Sequence, residues 1–311
     1  MKVIVVGGVA AGTKTAAKLK RENRNAEVIV YTKSQDISYA GCGLPYYVGG
    51  EIESREELIV NTPAKYQALT GVKVVTGTEA AAVNATEKTV VMRNVADQSE
   101  EEVPYDKLVL AVGAESFVPN VEGVRLPGVF TMRTPEDAIQ TRDYAEKNQC
   151  KKAVVVGGGF IGLEIAENLV AKGLNVTVID MASQIMPNIF DEEMADYIRR
   201  NLQAKGMRIM TGTGLQGITG EDKATGVKTD AGVLPADMVV LAIGVKPATA
   251  FLQDSGIELD RGTIVVDETQ KTNVEDVYAV GDCAVVKNRM TGARQWSAMG
   301  STANITGRIL A

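Results

Sequence analysis

Short apolar runs alternate with amphipathic stretches along this chain, and glycine marks the joints. Val3–Val6 is a continuous β-branched run that reads as a buried strand, Thr13–Arg21 as a helix and Glu27–Tyr31 as a second strand. The same order returns in Ala153–Val156, Ile161–Ala171 and Val176–Asp180. Strand, helix, strand with glycine at the first joint predicts parallel sheets with crossover helices. The fold class expected is α/β, with two Rossmann-like nucleotide-binding domains. Asp106–Gly113 and Asp237–Gly244 are a further matched pair, each an acid, an apolar strand and a terminal glycine. They bracket the second βαβ unit. This plan inserts residues 115–244 into a first domain made of 1–114 and 245–311. A helix is expected over Asn304–Ala311.

With 311 residues, 45% hydrophobic and 23% charged, the chain has the composition of a two-domain globular protein. A net charge of −6 argues against nucleic acid as a partner. No apolar run is long enough to span a membrane. The N-terminal run MKVIVV passes straight into a glycine turn, unlike a secretory signal, so a cytoplasmic location is expected. Three cysteines, Cys42, Cys150 and Cys283, give no even disulfide set, and with no histidine they offer no metal-ligand spacing.

The second glycine turn is the clearer nucleotide signal. Gly157-Gly158-Gly159-Phe160-Ile161-Gly162 follows a strand and opens a helix, and Asp180 ends the next strand. Gly157 suits the tight turn, Gly159 the approach of a pyrophosphate, Gly162 the packing of helix on strand, and Asp180 the ribose hydroxyls. No Arg or Lys lies between 181 and 190 to hold a 2′-phosphate, which favours NADH. The first turn, Gly7-Gly8-Val9-Ala10-Ala11-Gly12, has valine at the middle glycine position and Thr32-Lys33 in place of the ribose acid. It is either a cofactor site or a plain βαβ turn. Thr272–Asp282 reads as a strand ending in Gly281-Asp282. Beside the first unit Asp282 would meet an extended cofactor tail; otherwise it is a turn aspartate.

Cys42 lies in Ser38-Tyr39-Ala40-Gly41-Cys42-Gly43-Leu44-Pro45 and is expected to open a helix, whose N-terminus favours a thiolate. The alternative is a small buried hydrophobe. Position 47 is Tyr, so no CxxxxC disulfide can close. The thiol would then cycle through a mixed disulfide or a sulfenic acid. Cys150 and Cys283 read as packing residues.

Taken together, SYAGCGLPYYVGG (38–50), VIVVGGVAAG (3–12), VVVGGGFIGLEIAENL (154–169) and VYAVGDCA (277–284) resemble the single-cysteine branch of the FAD-dependent pyridine nucleotide-disulfide oxidoreductases. That branch includes coenzyme A disulfide reductases, NADH-dependent persulfide reductases and NADH oxidases. The resemblance implies FAD at Gly7, Val9, Ala10, Ala11, Gly12, Thr32, Lys33, Gly113, Arg133, Gly281, Asp282 and Ala303. It implies NADH at Gly157, Gly159, Phe160, Ile161, Gly162, Glu164, Asp180 and Gly244, with Glu164 near nicotinamide and flavin. It implies Cys42 as the redox thiol. Lys14, Arg21 and Ser38 would contact coenzyme A, with Arg24 adding charge to the same helix.

The oxidases of the branch carry a histidine in the first turn where this chain has Ala10, so the resemblance favours a coenzyme A disulfide or persulfide reductase. An NADH oxidase cycling Cys42 through sulfenic acid is the alternative enzyme, and a non-catalytic flavin/NADH redox carrier the alternative class. Members of the branch continue into a C-terminal dimerisation domain and form homodimers. A chain ending at Ala311 is expected to lack that domain.

Overall fold

Val3–Val6 can be apolar without interruption because both faces of their strand are covered. Val3 and Val5 join one apolar cluster, with Ala11 and Ala16 of the following helix. Ile4 and Val6 join another, with Val90, Met92 and Val103 of an antiparallel meander. This two-sided burial is what a parallel central strand requires. The structure, a computed structural model, describes residues 1–288 and 290–311.

Following the chain, β1 (Lys2–Val6), α1 (Ala10–Glu22) and β2 (Glu27–Tyr31) form the first βαβ unit. Next come the short α2 (Leu44–Gly49), β3 (Lys73–Val75), β4 (Lys107–Leu110), β5 (Val129–Phe130) and α3 (Pro135–Lys147). The second βαβ unit is β6 (Lys152–Val156), α4 (Phe160–Ala171) and β7 (Asn175–Ile179), followed by β8 (Arg208–Met210) and β9 (Met238–Leu241). The chain closes with β10 (Val277–Ala279) and α5 (Gly300–Leu310).

The chain divides into two compact units. The first holds Met1–Tyr39, Ile59–Glu115 and Lys246–Ala311, and the second Ala40–Leu58 and Ser116–Val245. Each contains a five-stranded sheet, β10-β4-β1-β2-β3 in the first and β5-β9-β6-β7-β8 in the second; four strands run in the same order, but the remaining edge strand is the last of the five along the chain in the first sheet and the first in the second. All pairings in both sheets are parallel. Each unit also has a three-stranded antiparallel meander, starting at Thr78 and Leu215 respectively. One difference from the sequence expectation concerns residues 40–58, which carry Cys42: they pack with the second unit rather than the first.

Two other elements differ from their expected limits. Only Val277–Ala279 of the 272–282 stretch joins the sheet. The preceding Asp276 has a left-handed φ of 63°, and its carboxylate is drawn between Lys88 and Lys107 at 2.6 and 2.8 Å. The last helix begins at Gly300, four residues before the expected Asn304.

Candidate active site

In the first unit the carboxyl ends of β1, β2, β4 and β10 open on one edge of the sheet, the edge where nucleotides bind doubly wound sheets. The Gly7–Gly12 turn leaves β1 there. Gly7 has φ +115°, and a side-chain carbon on it would stand 2.0 Å from the Ala111 carbonyl oxygen. A carbon on Gly12 would stand 1.9 Å from the Gly7 oxygen. Val9, at the N-cap of α1, supplies no side-chain cap, so the first-turn N–H groups of that helix face outward uncapped. Ala10 and Ala11 open the helix. Thr32 is buried, its Cβ only 2.9 Å from where a Gly8 side chain would lie. Ser38, at φ 49°, donates its N–H to the Gly8 carbonyl at 2.9 Å.

Two distant segments reach this edge. Gly281 (φ +76°) has room for no side chain, since one would come within 2.8 Å of Ala11 Cβ and 3.7 Å of Ala303 Cβ. Its N–H donates to Thr306 Oγ1 at 3.1 Å, and the indole N–H of Trp296 donates to the Asp282 carbonyl at 2.8 Å. Gly113 (φ +70°) lies just past β4. The Gly7–Gly12 turn, Thr32, Ser38, Gly281 and Ala303 are therefore assembled together. Lys33 instead points to an ion pair with Glu79 at 2.8 Å. Lys14 and Arg21 are exposed on α1.

In the second unit the same turn is rebuilt. Gly157 has φ +112°, with Ala242 O 2.3 Å from its hypothetical side chain, and Gly162 meets Gly157 O at 1.9 Å. Gly159 is different. Its φ is −85° and nothing lies within 4 Å of an added carbon, so the chain's own packing does not require glycine there. Gly159 is also the N-cap of α4 without a side-chain cap, whereas α3 has a full capping box from Thr134 and Asp137. Asp180 Oδ2 accepts the Gly158 N–H at 2.6 Å, and Oδ1 accepts the Ala182 N–H at 2.8 Å. Each oxygen keeps a free lone pair for a ribose hydroxyl. Phe160 and Ile161 are partly exposed at the start of α4. Gly244 (φ +113°) follows β9. Burial, and then the nearby Glu167 charge, push the Glu164 carboxyl above its ordinary range. Arg133 precedes α3, its backbone N–H donating to Asp137 Oδ2 at 2.8 Å.

The two turns share two features that suit a nucleotide, and the second adds a third. In both, glycines close the turn and the helix N-terminus lacks a side-chain cap; in the second, the space over Gly159 is also open.

The three cysteines separate cleanly. Cys150 and Cys283 are buried and Cys42 is exposed. Burial pushes the Cys283 thiol up to about 11 and raises that of Cys150, the latter helped by the Asp237 charge. Cys42 sits in a 3₁₀ turn, Gly41–Gly43, directly before α2 rather than inside the helix. A helix of six residues is too short to hold itself. It is held by packing within its unit. Leu44 and Val48 are fully buried, and Gly49 faces Asn168 of α4, whose Oδ1 would be 2.4 Å from an added carbon. Arg142 of α3 places Nη1 3.3 Å from the Tyr47 and Ile52 carbonyls and 3.1 Å from that of Glu53. Neither Asn168, Arg142 nor Thr306 was visible from the sequence, because no local spacing marks a contact between segments far apart along the chain.

The model of the pyridine nucleotide-disulphide oxidoreductase family matches residues 1–303. An NADH oxidase of Methanocaldococcus jannaschii is 37% identical over 309 residues, covering 99% of this chain and 69% of the relative. Among solved structures, reduced CoADR-RHD of Bacillus anthracis matches with a TM-score of 0.95 at 35% identity, over 99% of this chain and 56% of that one. A NAD-dependent persulfide reductase from A. fulgidus matches with a TM-score of 0.95 at 36% identity, over 100% and 58%. The chain therefore spans little more than half the length of these two solved proteins. Repeated nucleotide turns, one exposed thiol and a family match over nearly its whole length make this chain a member of the pyridine nucleotide-disulphide oxidoreductase family.

Proposed function

We propose that the chain is the FAD- and NADH-binding part of a reductase that acts on a low-molecular-weight disulfide or persulfide, of the coenzyme A type, at Cys42. The observation that carries this is the exposed Cys42, presented between two glycines while the other two thiols are buried. The family resemblance and the neighbours named as CoADR and persulfide reductase support it.

The residues fit their assigned groups. Gly7, Val9, Ala10, Ala11, Gly12, Thr32, Gly113, Gly281, Asp282 and Ala303 would hold FAD, with Lys33 and Arg133 assigned by resemblance. Gly157, Gly159, Phe160, Ile161, Gly162, Glu164, Asp180 and Gly244 would hold NADH. The Asp180 carboxylate repels a 2′-phosphate, so the unphosphorylated nucleotide is preferred. Lys14, Arg21 and Ser38 are assigned to the coenzyme A moiety.

The Cys42 thiolate attacks one sulfur of the substrate disulfide, forming a Cys42–sulfur bond and releasing the other half as a thiolate. When bound, the flavin and pyridine nucleotide supply the two electrons that return this mixed disulfide to the Cys42 thiolate and a second thiolate. With no histidine in the chain, water or a tyrosine protonates the leaving thiolate. The three free thiols suit a reducing compartment such as cytoplasm.

The test is an anaerobic NADH titration of the purified protein followed by visible absorbance. Uptake of about four electrons per flavin, with a long-wavelength band halfway, supports Cys42 as a second redox centre. In protein first treated with coenzyme A disulfide, so that Cys42 starts as the mixed disulfide, two-electron uptake that is unchanged in Cys42→Ser refutes it.

A further inference from the structure

Arg142 performs a job that neither the nucleotide turns nor the thiol accounts for. It lies on α3, 89 to 95 residues from the positions it touches. Its Nη1 converges on three backbone carbonyls, those of Tyr47, Ile52 and Glu53. One nitrogen with two protons serves three acceptors, so they share its hydrogen bonds. The guanidinium carbon sits 4.7 Å from the centre of the Tyr47 ring, a cation–π distance. The far side of the guanidinium is fixed by Glu146, which accepts from Nε at 3.3 Å and from Lys172 at 2.7 Å. Those two cations hold the Glu146 carboxyl below its ordinary range, so it is ionised at neutral pH.

The captured carbonyls belong to the end of α2 and the turn after it. Gly50 leaves the helix at φ +94°, its N–H returning to the Tyr46 and Tyr47 carbonyls. The chain then doubles back through Glu51 and Ile52, both of which also donate to Tyr46 O. A six-residue helix has too few internal hydrogen bonds to fix its own axis. Its C-terminal carbonyls end on a half-buried cation, which complements the helix dipole and pins the turn. Cys42 is the residue in the 3₁₀ turn at the other end of this rod.

We propose that Arg142 is a positioning residue for the Cys42 thiol: by gripping the Tyr47, Ile52 and Glu53 carbonyls it sets where α2, and hence the sulfur, stands during disulfide exchange. The inference rests on the reductase reading for its catalytic consequence, but the grip itself does not. Geometric control of this kind acts on the sulfur step and leaves nucleotide oxidation alone. NADH-driven ferricyanide reduction, which bypasses the thiol, is the internal reference.

The experiment compares wild type, Arg142→Met and Arg142→Lys as flavin-loaded protein. Two readouts are taken: steady-state turnover with coenzyme A disulfide and with ferricyanide, and backbone hydrogen exchange over residues 50–53. Loss of one charge-assisted hydrogen bond is worth about tenfold in an equilibrium. Arg142→Met is expected to exchange at 50–53 at least tenfold faster and to lose at least tenfold in disulfide kcat. Its ferricyanide rate and NADH KM should stay within twofold. Lysine, with three donors on a slightly shorter arm, is expected to recover part of both losses. Unchanged exchange at 50–53 in Arg142→Met overturns the grip. Disulfide kcat within twofold of wild type, or ferricyanide and disulfide rates falling together, overturns the positioning role. Absence of disulfide turnover in the wild type would instead count against the reductase reading, and exchange would still judge the grip.

Discussion

Two glycines of the second turn, two residues apart, should respond to the same substitution in opposite ways. At Gly157, alanine meets two penalties. Its φ of +112° lies outside what an L side chain readily adopts, and its Cβ would stand 2.3 Å from the backbone oxygen of Ala242. A relaxed carbon–oxygen contact is about 3.3 Å, so β6 and the segment after β9 must separate by about 1 Å. Strained backbone costs about 1–3 kcal/mol and overpacking about 1–3 kcal/mol more. A total of about 2–6 kcal/mol is a large share of the 5–15 kcal/mol that typically holds a protein folded. At about 2–4 °C per kcal/mol, the midpoint should drop by about 10 °C.

At Gly159 the ledger is nearly level. The backbone is at φ −85° and no atom lies within 4 Å of the added carbon. Restricting the unfolded chain stabilises by about 0.4–1 kcal/mol, and losing glycine from an N-cap costs a similar amount. The expected change is under about 1 kcal/mol. Val9, at the same place in the first turn, already carries a side chain there at φ −104°. The new methyl instead occupies the space a pyrophosphate would need. Thermal unfolding without nucleotide and calorimetric titration with NAD⁺ give both readouts. Gly157→Ala should lose stability; Gly159→Ala should keep its midpoint within about 3 °C and bind NAD⁺ about tenfold more weakly. Unchanged NAD⁺ affinity in Gly159→Ala would refute the placement of the phosphates over this residue, and a large fall in its midpoint would refute the claim that the chain tolerates a side chain there.

Other consequences follow from single residues. Cys42→Ser, at an exposed position, should keep stability within about 0.5 kcal/mol and retain NADH-driven ferricyanide reduction while losing at least about a hundredfold in disulfide turnover; full turnover would sink the thiol mechanism. Asp180→Asn removes the charge from the ribose acceptor and should raise the NADH KM about tenfold, measured at saturating acceptor, with no more than a small change for NADPH. Asp276, held down to about 2 by Lys107 and Lys88, is ionised in the fold below its ordinary range. A depressed carboxyl stabilises above its unfolded value of about 3.9 and loses that contribution as pH falls through about 2. The pair partners are partly exposed, so Asp276→Asn should cost about 1 kcal/mol at pH 7, a cost that shrinks as pH falls toward 2 and vanishes below it. A pH-independent difference in urea unfolding would exclude the ion pairs as the cause.

How much of this was legible depended on whether a residue's role is decided locally. Val3–Val6 and Val154–Val156 announce buried parallel strands because a strand covered on both faces must be apolar throughout. The glycine turns are legible for a similar reason, since Gly7 and Gly157 answer to backbone angles that only glycine takes easily. Elements set by distant partners were not. The 272–282 stretch has strand composition, yet Asp276 turns out of line to meet Lys107 of β4 and Lys88 of the turn before Thr89. The last helix begins at Gly300 without any capping side chain, so nothing in the sequence marked its start. Cys42 was placed at a helix, but whether its segment packs with the first unit or the second depends on Arg142 and Asn168, far along the chain.

The internal repeat separates two kinds of constraint. Gly7 and Gly157 have φ values within a few degrees of each other, and Gly12 and Gly162 each face a backbone oxygen at 1.9 Å. At these positions the chain itself dictates the residue, and the two turns agree. They part company at Val9 against Gly159 and at Thr32 against Asp180. Gly159 has open space above it, and Asp180 offers lone pairs beyond those its backbone contacts consume. There packing is indifferent and a ligand can choose. Thr32, buried beneath Gly8, offers no such carboxylate. Instead the first unit brings in Gly281, Asp282 and Ala303 from the far end of the chain, for which the second turn has no counterpart among the assigned residues. Similar backbones with different ligand-facing residues are what two different nucleotides would require. In the proposed function, the first unit holds an extended dinucleotide by several segments and the second holds a ribose by one acid.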